Sequence, residues 1–158
     1  MKKLFTLIEI LVVATIIGLL AGGAAISYSQ INKQSRDAKR KTDLEQIRAA
    51  LEMYRSNNGY YPVSTAINTT CGNNTGLTDE TSTYLSNIPD DPKCPMYKYY
   101  YNALSNTGGS CNNTLTYCTN YILASQLETN SSCSSVPGGN SCGTGNPCNY
   151  CLGPYGQK

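Results

Sequence analysis

The chain has 158 residues, room for one domain, and its 12 Lys/Arg against 10 Asp/Glu leave a net charge of only +2. That balance argues against a strongly basic nucleic-acid-binding domain. With no His and no Trp, the commonest general base and metal ligand is missing, which makes catalysis harder to assemble. Charge is nevertheless unevenly spread: nine of the twelve cations precede residue 61. Thirteen Tyr stand against a single Phe, Phe5.

Lys2 and Lys3 precede an apolar run from Leu4 to Ile26, interrupted by Glu9 and two threonines. As helix, Phe5 to Ile26 would extend about 33 Å, enough to cross a bilayer. No Pro occurs before Pro62, so the helix need not stop at the membrane surface. Between Asn32 and Arg55 the charges fall at i,i+4 as Asp37/Lys41, Lys39/Asp43, Lys41/Glu45 and Arg48/Glu52, the spacing of ion pairs on an exposed helix. Leu44, Ile47, Leu51 and Tyr54 make one apolar stripe that needs a packing partner. Asn57-Asn58-Gly59 supplies the stop, with Pro62 behind it.

Beyond Pro62 the chain breaks into short segments. Residues 63–83 read as a loop with one helical turn, and Pro89-Asp90-Asp91-Pro92 as a tight turn. Tyr97 to Leu104 suits a strand. In Tyr117 to Leu127 a second strand is expected, with Tyr117, Tyr121, Leu123 and Leu127 on one face and Asn120 and Gln126 on the other. Packed on the Leu44–Tyr54 stripe, these strands give an α+β head. The Ser/Asn/Gly/Cys-rich residues 129–158 read as a disulfide-stapled loop.

Cys71, Cys94, Cys111, Cys118, Cys133, Cys142, Cys148 and Cys151 form an even set. They read as a disulfide framework made in an oxidising compartment, with pairing open among 105 arrangements. A zinc site using Cys148-x-x-Cys151 lacks a second close pair. The same two cysteines could form a redox pair, but no thioredoxin-like βαβ pattern surrounds them. Lys39-Arg40-Lys41 could bind nucleic acid or simply form a solvated helix face; the second reading is preferred, so nucleic acid is not an expected partner.

Glu9 is the informative residue, because a carboxylate within an apolar run is usually paired and functional. The stretch Phe5-Thr6-Leu7-Ile8-Glu9-Ile10-Leu11-Val12-Val13 resembles the N-terminus of mature type IV pilins and type II secretion pseudopilins. Asn57-Asn58-Gly59-Tyr60-Tyr61-Pro62 and Tyr84 to Pro92 are similar to the helix end and the αβ loop of pseudopilins. The missing helix Pro leans toward the pseudopilins, and the chain is closest to the major ones. Leu4 departs from the Gly that usually precedes the cleavage point. In the major pseudopilins an acidic loop in the region of Asp90 and Asp91 binds calcium, so the resemblance implies that these two could supply part of the ion's oxygen set; turn chemistry is the preferred account of them.

The resemblance implies a leader of residues 1–4 and a long helix over 5–57, whose residues 5–26 span the membrane and form the filament core. The head covers 58–158. It implies cleavage between Leu4 and Phe5 by a prepilin peptidase, N-methylation of Phe5, and a role for Glu9 in assembly. The expected partners are copies of the chain in a helical filament, the membrane, and an inner-membrane assembly platform. The subunit waits in the inner membrane as a single-pass protein with its head outside the cytoplasm, then joins a periplasmic or extracellular filament. Counting basic residues alone would put the head in the cytoplasm, since Lys33, Arg36, Lys39, Arg40 and Lys41 outnumber Lys2 and Lys3. The cysteines outweigh that count. Small residues such as Gly18, Ala21, Gly22 and Gly23 would let helices approach closely. The alternative is a secreted disulfide-rich binding module released by ordinary signal peptidase near Ala25.

Overall fold

The computed structural model describes residues 6–73, 75–129, 131–133, 141–143, 145 and 147–157, and of residues 24–27 the backbone only. Leu4 and Phe5, and with them the expected cleavage point, lie outside the described residues. The chain divides into two compact units, Met1–Ser35 and Arg36–Lys158.

In the first unit, helix α1 (Leu7–Asn58, 52 residues) begins one residue after Thr6 and runs unbroken through Gly18, Gly22 and Gly23. Its apolar side chains are exposed, Leu7 at 83% and Leu19 at 79%. This part of α1 is long and apolar enough to cross a membrane.

In the second unit α1 continues to Asn58 and stops where the sequence places the stop. Gly59 adopts φ +82°, a left-handed conformation open to glycine, and its N–H donates to the Arg55 carbonyl at 2.7 Å. The expected stripe is buried: Leu44, Ile47 and Leu51 are at most 1% exposed, and Tyr54 packs at its edge. A single 3-10 turn, Ser64–Ala66, follows.

Two antiparallel sheets complete the head. β1 (Leu77–Thr78), inside the stretch 63–83 read as a loop, pairs with β2 (Thr83–Leu85), which starts at its last residue. Strands this short show no alternation to read. The larger sheet has the order β3 (Tyr100–Leu104), β4 (Asn120–Ser125), β5 (Tyr150–Gly153), β6 (Gly156–Gln157), each pair antiparallel. Tyr101 and Ala103 of β3, Tyr121 and Leu123 of β4, and Tyr150 and Leu152 of β5 face α1 and its stripe. The intervening residues face the other way, as the period of two requires.

Two expectations are corrected here. The second face of β4 is not polar: Ile122 and Ala124 are buried with Leu104 against Cys142, Cys148 and Cys151. The C-terminal region is thus more than a stapled loop, because it adds β5 and β6 and covers that face. Cysteine is among the residue types most often buried, so a segment poor in aliphatics still closes a core. Tyr117 does not share the face of Tyr121: it lies outside β4 and is 59% exposed, in a loop closed by the Cys111–Cys118 disulfide.

Candidate functional site

The functional residues expected from the sequence fall into separate places. At the start of α1, Glu9 turns back on the helix end. Its Oε2 accepts from the Thr6 N–H at 2.8 Å and the Thr6 hydroxyl at 2.7 Å, while the Glu9 N–H donates to Thr6 Oγ1 at 3.4 Å. This is a capping box, in which the first-turn donors are satisfied reciprocally. The signal, Thr followed three residues later by Glu, was in the sequence but overshadowed by the apolar run. Within one chain Glu9 therefore has a local partner, and it remains exposed.

The charged stretch after Ser35 behaves differently from the i,i+4 reading. Among the described residues its intrahelical ion pairs are Arg40–Asp37 and Arg48–Glu45, both at i,i+3. The remaining acids serve the head. Arg40 is fully buried, its Nε and Nη2 reaching both oxygens of Asp91 at 2.7 and 3.0 Å, its Nη1 reaching Asp37 at 2.7 Å and Glu128 at 3.1 Å. Arg36 grips Glu128 in bidentate fashion at 2.6 and 2.7 Å, and Lys93 Nζ adds a third cation at 2.7 Å. Asp37 also accepts from the Glu128 and Thr129 N–H groups and the Thr129 hydroxyl.

The electrostatics follow. Burial alone would lower the Arg40 pKa, but Asp91, Asp37 and Glu128 more than reverse it. The Arg36 guanidinium holds Glu128 well below the usual carboxylate range against the opposing effect of burial, with Lys93 and Arg40 adding to the pull. Burial pushes Asp37 up, yet its bonds to Thr129, the Glu128 amide and Arg40 leave it lowered. Lys39-Arg40-Lys41 is accordingly not one solvated basic face: Arg40 points into the head, and Lys41 lies over the Tyr150 ring at 5.4 Å. Sequence reasoning missed Glu128 altogether, since nothing local marks a partner some ninety residues away.

The excess of Tyr over Phe has a structural cause. Tyr99 donates its hydroxyl to Asp43 at 2.7 Å, Tyr61 donates to both oxygens of Glu52 at 3.0 Å, and Tyr101 donates to the Pro62 carbonyl at 2.7 Å. Each ring fills the core while its hydroxyl satisfies a polar group on α1 or next to it. Burial drives the Tyr99, Tyr101 and Tyr121 hydroxyls far above their ordinary range, so they stay donors.

Asp90 and Asp91 are not brought together as one oxygen set. Asp91 is buried and engaged by Arg40 and the Lys93 N–H, whereas Asp90 is exposed and accepts from the Gly72 N–H at 3.1 Å. A cation at Asp91 would have to displace a guanidinium. Asp90 also lies near Cys71 and Cys94, but those sulfurs are bonded to each other and offer no thiolate. All eight cysteines pair, as Cys71–Cys94, Cys111–Cys118, Cys133–Cys151 and Cys142–Cys148. Cys148 and Cys151 belong to different bridges, so neither the zinc nor the redox reading has its ligand or dithiol pair.

The sequence resembles known proteins over much of its length. The family model described as type II secretion system (T2SS), protein G, matches residues 28–109. A type II secretion system core protein G of Pseudomonas aeruginosa is 33% identical over 100 residues, covering 60% of this chain and 70% of that protein. The protein of the same description from Vibrio cholerae serotype O1 is 30% identical over 108 residues, covering 63% of this chain and 74% of the relative. No solved structure matches the chain significantly. The family match begins at Tyr28, so it is independent of the apolar N-terminal motif.

Proposed function

The chain belongs to the type II secretion system protein G family, and from that premise we propose that it is anchored in the inner membrane by the first part of α1 and polymerises through it into a pseudopilus. The observation that carries this reading is the row of exposed apolar side chains from Leu7 to Leu20, which the chain itself leaves uncovered. Lipid covers that surface before assembly, and neighbouring helices cover it afterwards. An added Cβ at Gly18, Gly22 or Gly23 would meet nothing within 4 Å, so these glycines are not required by packing inside one chain.

In this reading a prepilin peptidase cuts between Leu4 and Phe5 and methylates the new amine, and an inner-membrane platform feeds the subunit into the filament. Glu9 of one subunit exchanges its Thr6 contacts for the N-terminal cation of the next, since a charge in that environment needs a partner. The positive-inside conflict also softens. Arg36 and Arg40, two of the five basic residues beyond the span, are held by Glu128, Asp37 and Asp91, which supports a head outside the cytoplasm. The role is structural, not catalytic.

Glu9→Ala tests the proposal. It removes a charge from the apolar run, so insertion should be unimpaired and the head should fold as before. Losing one member of a buried ion pair lowers subunit affinity at least ~100-fold. Sheared filaments should nearly vanish while the membrane fraction keeps its full complement of subunit. Filaments at normal numbers would show that Glu9 is a bystander.

A further inference from the structure

At the C-terminal end of α1 the head carries an open groove of about 490 Å³, lined by Tyr54, Asn58, Tyr60, Asp79, Glu80 and Thr81. Its walls are fixed before any partner arrives. Tyr54 meets Tyr60 and Tyr84 edge-on, with ring centroids 6.3 and 5.2 Å apart, and Tyr84 donates its hydroxyl to Asp79. Asn58 Nδ2 donates to the Tyr54 carbonyl and to Asp79, both at 3.1 Å. Tyr60 stacks on Tyr117 at 5.6 Å, and the loop behind Tyr117 is closed by Cys111–Cys118 and tied down by Asn113, which donates to the Tyr61 carbonyl at 2.8 Å. Such preorganisation lowers the ordering cost of binding.

The groove has the chemistry of a cation site. Aromatic faces attract ammonium and guanidinium groups, and a helix C-terminus carries partial negative charge. Asp79 is saturated by Tyr84, Asn58, Thr81 and Ser82. Glu80 is exposed and, alone among the described carboxylates, has neither a hydrogen bond nor an ion pair. On the cationic side, Arg36, Arg40, Arg48 and Lys93 are ion-paired, Arg55 donates to Tyr61, and Lys41 covers Tyr150. Lys39, like Lys33 and Lys98, is exposed and has no such partner among the described residues.

We propose that this groove receives the Lys39 ammonium of a neighbouring copy of the chain, with Glu80 as counter-ion and the Tyr54 and Tyr60 rings as walls. The inference rests on the filament reading and assigns one of its head contacts. Lys39 lies 15 to 19 residues before Tyr54 and Asn58 on one helix, about 22–29 Å along its axis. No chain can bridge that span with its own lysine, but a copy displaced by that distance along α1 brings Lys39 level with the groove. The position of Lys39 is well defined, because Asp37 and Arg40 on either side of it are locked into the head. Lys98 is not on the helix, and Lys33 precedes the anchored stretch by three residues.

The test uses the full-length chain in the cells that assemble it, with sheared filaments counted by microscopy and immunoblot. Glu80→Lys and Lys39→Glu should each reduce filament yield roughly tenfold, and the double charge swap should restore it to within about twofold. Lys39→Arg should assemble normally, and Lys33→Glu combined with Glu80→Lys should not recover. Because both side chains are exposed, protease resistance and non-reducing gel mobility of the membrane-extracted variants should match the parent. Single variants with full yield, a double swap that fails to recover, or recovery through Lys33 would each overturn the assignment. An unmodified chain that yields no filaments in the same cells overturns the filament reading itself, and this contact with it.

Discussion

Leu7, Leu19 and Leu20 in the first part of α1 stand 70 to 83% exposed, whereas Arg40 in the second part is 0% exposed. Along one continuous helix the apolar side chains are uncovered and a guanidinium is buried. The contrast separates two ways of completing a helix. The second part is completed by its own chain: Asp37, Arg40, Asp43 and Glu52 find Thr129, Asp91, Tyr99 and Tyr61 in the head. Among the described residues of the first part the polar side chains close locally, Glu9 on Thr6 and Thr15 on the Val12 carbonyl, and the apolar surface stays uncovered. A large apolar surface left uncovered in a single chain marks a protein or membrane contact, which is the basis of the anchoring and assembly proposed above. The contrast therefore points to assembly as well as to anchoring.

Arg40→Leu should break the self-completed part most severely. The change strands Asp91 and Asp37 as buried charges, and losing one member of such a set commonly costs ~3–5 kcal/mol. Urea unfolding of the detergent-solubilised chain, followed by the near-ultraviolet signal of its tyrosines, should show that loss while membrane insertion persists. A cost below about 1 kcal/mol would mean that the network is dispensable.

The next effect concerns the C-terminal region, which covers the face of β4 that α1 does not. Replacing Cys133 and Cys151 by Ser opens a loop with a sequence separation of 18. In the chain-entropy account that costs about 3 kcal/mol. It also loosens the cover over Ile122 and Ala124, so binding of a hydrophobic dye to the folded variant should rise. No change in either measurement would make this bridge incidental.

The contrast also explains which features were legible in the sequence. The helix, its Gly59 stop and the Leu44–Ile47–Leu51 stripe could be read because each signal is local and repeats at helical spacing. The polar face was misread for the same reason. Spacing proposes i,i+4 partners, but Asp43 and Glu52 bond tyrosines far along the chain, and distant hydroxyls leave no periodic trace. β5 and β6 were hidden in a segment where cysteines are as numerous as all other hydrophobic residues together. Glu9 was recognised as unusual, while its bond to Thr6 went unread.

Acid should erode the self-completed part specifically. Glu128 is held low chiefly by Arg36, and Asp37 is lowered by Thr129 and its other donors despite burial. Both therefore bind fewer protons folded than unfolded. Their stabilisation is full above the unfolded carboxylate range near pH ~4 and drains as the pH falls through their depressed native values. Unfolding free energy should drop steadily between about pH 5 and pH 2. Glu128→Gln should be less stable at neutral pH yet show a shallower acid slope; an unchanged slope would place the linked protons elsewhere.

The smallest effect belongs to Arg48, which forms the sharpest comparison with Arg40. Both arginines sit on α1 and both contact a carboxylate three residues earlier at 2.7 Å. By length alone the two bonds are equal. Arg48 and Glu45, however, are 32% and 46% exposed, so water solvates each of them when the other is gone. Arg48→Ala should cost no more than about 0.5 kcal/mol, and raised salt should shrink even that. A double-mutant cycle with Glu45→Ala isolates the pair from any change in helix propensity. A coupling above about 1.5 kcal/mol would show that bond geometry, not burial, sets the energetics of this helix. The expected result, near zero at Arg48 and several kcal/mol at Arg40, ties the strength of a charge on α1 to whether the head has closed over it.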